Sequence, residues 1–111
     1  MNLEVNQESQ LLERAKTSTC PVELEKLHNS SSMNIRRAVA RNINITTETA
    51  NKLVKDPVLN VSFMASKNPK SSEKRDFDEN SLNYCVLCEE DERYMNCSQC
   101  YEANNWSLLN S

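Results

Sequence analysis

The sequence contains no glycine, one histidine, one tryptophan and three prolines, and aromatic residues make up only 5% of its 111 positions. With aromatics scarce and Asn, Ser and Lys abundant, there is little material for sheets. A helix-dominated body is expected. A chain of this length gives one domain, or one small domain with an appendage, and cannot bury a large core. No apolar run exceeds a few residues, too short to span a bilayer. Met1 to Gln10 lack the basic start and apolar middle of a signal peptide. No membrane partner is expected, and the expected location is cytoplasmic.

What is present is unevenly spread. The formal net charge is −3, but residues 1–70 carry ten Lys and Arg against seven Asp and Glu, while residues 71–111 carry three against nine. The basic part and the acidic part call for different partners, the acidic one repelling phosphate and favouring basic surfaces.

Four of the five cysteines form two CxxC pairs, Cys85-Val86-Leu87-Cys88 and, eight residues on, Cys97-Ser98-Gln99-Cys100. In a reducing compartment such pairs point to metal ligation or redox chemistry rather than structural disulfides. Within a CxxC the two thiols lie about one turn apart, so both sulfurs reach a single ion at about 2.3 Å, and two pairs complete a tetrahedron. One Zn2+ per chain is expected on Cys85, Cys88, Cys97 and Cys100, with an iron–sulfur cluster as the alternative. Four thiolates close the shell, which makes the site structural rather than hydrolytic. Behind Cys100, Ala103, Trp106 and Leu109 fall at helical spacing, so the second pair opens a helix whose N-terminus favours thiolates. A knuckle, a short hairpin and a pair opening a helix resemble a treble-clef zinc finger over residues 83–109, with Glu89 and Tyr101 where that family has glycine. Between the pairs, Glu89, Glu90, Asp91 and Glu92 read as a solvated loop tip.

Upstream, the chain repeats itself at an offset of 26 residues. Leu24 falls on Ala50, Leu27 on Leu53, Ile35 on Val61, Val39 on Ala65, Arg41 on Lys67 and Asn42 on Asn68. Cys20-Pro21 falls on Thr46-Thr47 and Ser30-Ser31 on Asp56-Pro57, each a cap followed by a first-turn residue. Each unit is therefore predicted to hold two helices, over 21–28 and 32–41 and again over 47–54 and 58–67. Asn42-Ile43 and Asn68-Pro69 close them. An amphipathic helix over 2–16, with Leu11, Leu12 and Ala15 on one side, serves as the N-terminal cap that a repeat array needs.

The segments Asn34-Ile35-Arg36-Arg37-Ala38-Val39-Ala40-Arg41-Asn42, Thr46-Thr47-Glu48 and Leu53-Val54-Lys55-Asp56-Pro57 resemble the leucine-rich repeat variant family. Its pattern runs through V-R-x-A-V-A-x-N, T-P-x-x-L and L-A-x-D-P. The resemblance covers about residues 18–70, and in the second copy Ser62, Phe63 and Met64 replace Arg36, Arg37 and Ala38. It implies alternating α- and 3₁₀-helical layers in a right-handed solenoid and no catalytic activity. The family includes an iron–sulfur protein whose cluster cysteines precede the repeats, whereas here the cysteines follow them.

The expected fold is thus mainly α: a short α/3₁₀ helical-repeat solenoid with a small C-terminal four-cysteine zinc-binding module. Its parts are a capping helix over 1–17, two repeats over 18–70, a linker over 71–83 and a zinc finger with its helix over 84–111. Two repeats are fewer than usually stand alone, so the metal module is expected to close the C-terminal end. His28 is read as a packing or surface residue and Cys20 as an inert thiol, so no catalytic residue and no small-molecule substrate are expected. The function expected is a non-enzymatic protein–protein interaction module. Arg36, Arg37, Arg41, Phe63, Lys67 and Trp106 are its partner-binding residues, apolar side chains inside a basic rim. The alternatives are a nucleic-acid-binding regulator tracking phosphates along Arg37, Arg41 and Lys67, and a thiol switch that ejects zinc on oxidation.

Overall fold

The computed structural model describes residues 3–77, 82, 84–88 and 90–94, with side chains placed for 8–77, 82, 86–88 and 90–93. Over these residues the protein is mainly helical and has no strand. The order is α1 (Leu3–Thr17), α2 (Pro21–Leu27), α3 (Met33–Arg41), α4 (Thr47–Val54), α5 (Leu59–Lys67), a short α6 (Tyr84–Leu87) and a 3₁₀ turn at Glu92–Tyr94. α1 lies within one residue of the 2–16 range read from its apolar pattern, and α2 to α5 within one residue of the ranges predicted from the repeat. Among the described residues no helix is long and apolar enough to cross a membrane.

Local chemistry accounts for the helix starts. Pro21 opens α2, where a missing N–H costs nothing and φ is already set. Thr46 caps α4, its hydroxyl accepting from the Thr49 amide at 3.1 Å. The second helix of each unit starts differently from the expectation. Its caps are Ser32 and Val58, two residues later than Ser30 and Asp56. Ser30 Oγ instead accepts from the Ser32 amide and Asp56 Oδ1 from the Val58 amide, so both shape the turn that precedes the helix.

The 26-residue offset recurs in the backbone. Leu24 N–H to Cys20, Ser30 N–H to Leu27, Arg36 N–H to Ser32 and Asn42 N–H to Val39 each have a counterpart 26 residues on, at Ala50, Asp56, Ser62 and Asn68. The bonds at Ser30, Asn42, Asp56 and Asn68 span three residues, so within the two units 3₁₀ closure falls at the helix ends. Both helices of each unit are α-helical, where the resemblance implied that one layer would be 3₁₀.

The aligned apolar pairs form one core. Leu24 and Ala50, Ile35 and Val61, and Val39 and Ala65 are all at most 1% exposed, with Leu12 and Ala15 of α1 closing the near end. Truncating a side chain such as Leu53 to Ala is expected to cost about 2–5 kcal/mol. Two asparagines tie the layers together. The Asn42 side-chain amide donates to the carbonyls of Ala15 and Ser18, both at 3.0 Å. That of Asn68 donates to the carbonyls of Ala40 at 2.8 Å and of Asn42 at 3.0 Å. Each Oδ1 then accepts from the amide two residues on, Asn44 or Lys70, fixing the exit turn.

Residues 71–77, expected to begin a linker, are laid on α4 and α5. Asn51 Oδ1 accepts from the amides of Ser72 and Glu73, and Arg75 donates to Ser62 Oγ at 3.2 Å.

Candidate functional site

α3 packs against both α1 and α5, and the C-terminal part crosses these three helices in reverse order. Phe77 meets Phe63 of α5 edge to face, with ring centroids 5.4 Å apart. α6 then packs on α5, and the Glu92–Tyr94 turn lies on α3 and α1. Phe63 and Arg37 are equivalent positions of the two units, so one face receives the tail first through an aromatic ring and then through a guanidinium.

At the centre of this face is Glu92, whose side chain has no solvent exposure. Lys16 Nζ lies 2.6 Å from Oε1. Arg37 Nη1 lies 2.6 Å and Arg41 Nη1 3.0 Å from Oε2. Arg37 is fully buried, in a helix where its flanking residues Ala38, Val39 and Ala40 are all core. Both arginines also read main chain: Arg37 and Arg41 donate to the Glu90 carbonyl at 3.0 and 2.8 Å, and Arg37 Nη2 donates to the Cys88 carbonyl. Beside the cluster, Arg93 bridges Asp91 at 2.8 Å and Glu13 of α1 at 3.0 Å.

Burial by itself pushes the Glu92 carboxyl upward. The Lys16 bond, its own amide, Arg37 and Arg41 outweigh that and hold it below the ordinary carboxylate range. Asp91 is held well below that range by its hydrogen bonds from Arg93. Glu92 is therefore a charged, desolvated anchor, whereas the loop it belongs to was expected to be a solvated tip. Removing either partner of such a pair leaves an uncompensated buried charge.

The predicted partner-binding residues divide into three groups. Arg37, Arg41, Phe63 and Lys67 share the face just described, and Lys67 Nζ stands 5.5 Å from the Phe63 ring centroid. Arg36 points elsewhere: its Nε donates to Asp56 at 2.8 Å and its Nη1 to the Ser30 carbonyl at 2.9 Å, tying the two units at their loops. Trp106 lies outside the described residues. His28 is buried and its Nδ1–H donates to the Glu25 carbonyl. Cys20 is exposed.

Of the four expected metal ligands, Cys97 and Cys100 lie outside the described residues, as does the side chain of Cys85. Among the described residues no three His, Cys, Asp or Glu side chains are grouped to hold a metal. The backbone places residue 85 on α6 and residue 88 immediately after its end, and Cys88 is a buried free thiol.

Sequence reasoning missed Lys16 and Glu92. The signal was the charge asymmetry itself: an excess of cations in residues 1–70 and of carboxylates after them is what two parts that bind each other would show. Compared with family models, with curated proteins and with solved structures, the chain matches none of them.

Proposed function

We propose that this chain is a protein–protein interaction module. Two helical repeats of the leucine-rich repeat variant type form a short solenoid, α1 caps one end, and a four-cysteine zinc module is carried by the segment that crosses α5, α3 and α1, so it lies along a face of the stack where it was expected to close the C-terminal end. One observation carries the reading. The face on which Arg37, Arg41, Phe63 and Lys67 lie already holds a polypeptide segment, through side-chain anchors and through main-chain carbonyls. A face that positions a segment in this way has the chemistry of peptide recognition. The phosphate-tracking alternative loses support, since the guanidinium groups of Arg37 and Arg41 are turned to Glu92 and Glu90.

The donor set suits zinc. Two CxxC pairs supply four thiolates, and the short separation within each pair suits convergence on one ion. When bound, the ion would hold the C-terminal module folded, with Cys85, Cys88, Cys97 and Cys100 as its ligands.

The test is affinity capture from cell extract with the whole chain, alongside native mass measurement of its assembly state. Recovery of a specific protein partner, or self-association, is expected. Neither partner nor self-association would sink the reading.

A further inference from the structure

We propose that Lys16, Arg37 and Arg41 form a receptor site for an acidic peptide segment, and that residues 88 and 90–93 occupy it as an intramolecular stand-in for a partner's segment. The inference rests on the interaction-module reading and names the chemistry of the partner at that same face.

The receptor side belongs wholly to the helical body. Lys16 follows the fully buried Ala15 of α1, and Arg37 and Arg41 flank the buried Ala38, Val39 and Ala40 of α3, so the three cations are placed by the core beneath them. Among the described residues the occupant adds only the buried Cys88 side chain to the apolar interior. The apolar cluster ends at Ala65, and Val86 and Cys88, though buried, are not part of it. The other contacts that hold residues 88 and 90–93 are polar: the Glu92 carboxylate on three cations, Asp91 on Lys16, carbonyls of residues 88 and 90 on two guanidinium groups, and Arg93 on Glu13.

Such a segment can leave without dismantling the helices. The site it vacates keeps three cations, Lys16, Arg37 and Arg41, without the carboxylate they share, and Arg37 stays charged at any working pH. A second carboxylate, presented with two carbonyls upstream of it, satisfies the same donors. The contacts specify the ligand: a Glu whose chain offers carbonyls two and four residues before it, as Glu92 offers those of Glu90 and Cys88. Asp91 and Arg93 add pairs to Lys16 and Glu13, and the remaining contacts are to main chain, so an acidic segment that keeps the Glu can differ elsewhere in sequence.

Occupancy in cis lowers the apparent affinity for any segment in trans by the fraction of molecules that are open. The experiment uses the full chain and a fluorescein-labelled peptide of residues 86–94 carrying Cys88→Ser, read by fluorescence anisotropy. Glu92→Ala in the full chain is expected to bind this peptide at least about tenfold tighter than the wild type does. A peptide that also carries Glu92→Gln is expected to bind that variant at least about tenfold more weakly. Equal affinity of wild type and variant, or of the two peptides, overturns the proposal.

If circular dichroism shows that Glu92→Ala does not fold, the wild type decides. Excess peptide should speed amide exchange over residues 84–94 and leave α3 unchanged, and an unaltered exchange pattern overturns the proposal. Failure here with a partner still captured from extract removes the clamp assignment alone. Peptide binding without any captured partner or self-association removes the broader reading instead.

Discussion

Arg37 and Glu92, 55 residues apart in the chain, pair at 2.6 Å with no part of either side chain reaching solvent. Breaking a buried pair from one side costs more than the pair contributes, because the remaining charge is left without compensation. Arg37→Met and Glu92→Leu are each expected to destabilise the protein by about 3–5 kcal/mol, less whatever is regained if the segment lifts and admits water. The double substitution should recover a large part of that loss. Urea melts of the three variants check this, and additive losses in the double variant would speak against a coupled pair.

Acid should loosen the same contact. Glu92 titrates in the folded protein below its ordinary value of 4.5. A carboxyl with a depressed folded value contributes stability that is fully present above the unfolded value and drains away as pH falls through the folded one. Asp91 shifts in the same direction, although its partial exposure weakens its share. Melts from pH 7 down to pH 3 should therefore be flat to about pH 4.5 and fall below it. In Glu92→Gln the fall should be shallower, and an unchanged slope would assign the acid limb to other carboxylates.

The two interlayer asparagines give a sharper test of the repeat than any apolar residue. Asn42→Asp keeps the oxygen that accepts from the Asn44 amide but loses the donor to Ala15 and Ser18. Asn68→Asp does the same one unit on. Each should cost about 1–3 kcal/mol, the penalty of leaving buried carbonyls unsatisfied. Asn44→Asp, outside that ladder, serves as the control. Thermal melts that rank Asn44→Asp with the other two would refute the ladder's role.

Metal content is expected at one zinc per chain by elemental analysis, reduced in Cys88→Ser. Structural zinc contributes about 10–16 kcal/mol in finger peptides, so chelation should release amide protection over residues 84–94. Helices α1 to α5 should keep theirs, since among the described residues the apolar cluster of their core runs no further than Ala65. Loss of protection throughout would mean that the repeats depend on the metal for their own fold.

The helical body was legible because its signals are local. Apolar residues repeat at 26, Pro21 and Thr46 mark starts, and Asn42 and Asn68 mark ends, all within segments short enough to be read singly. The tail's course was not legible, because its polar anchors are contacts across 49 to 80 residues, between groups that look ordinary where they stand. Arg37 and Arg41 have the spacing of an exposed basic stripe, and Glu92 sits in a run of carboxylates that normally stays hydrated. Only the small residues Ala38 and Ala40 beside Arg37 hinted that the arginine side of α3 is covered. The displaced caps at Ser32 and Val58 have a similar cause: Ser30 and Asp56 can cap a helix or shape the turn before it, and residue identity does not separate the two.

Without a single glycine, the chain makes its turns among the described residues with every φ negative. Asn42 leaves α3, and Asn68 leaves α5, in extended conformations open to any L-residue. No backbone position at these exits is reserved for glycine by chirality. What keeps successive layers in register is an exchange of donors and acceptors, with the carboxamide of one unit held on the carbonyl of the last. The unit's grammar is therefore written in side chains, and its turns can drift in sequence while that one amide stays.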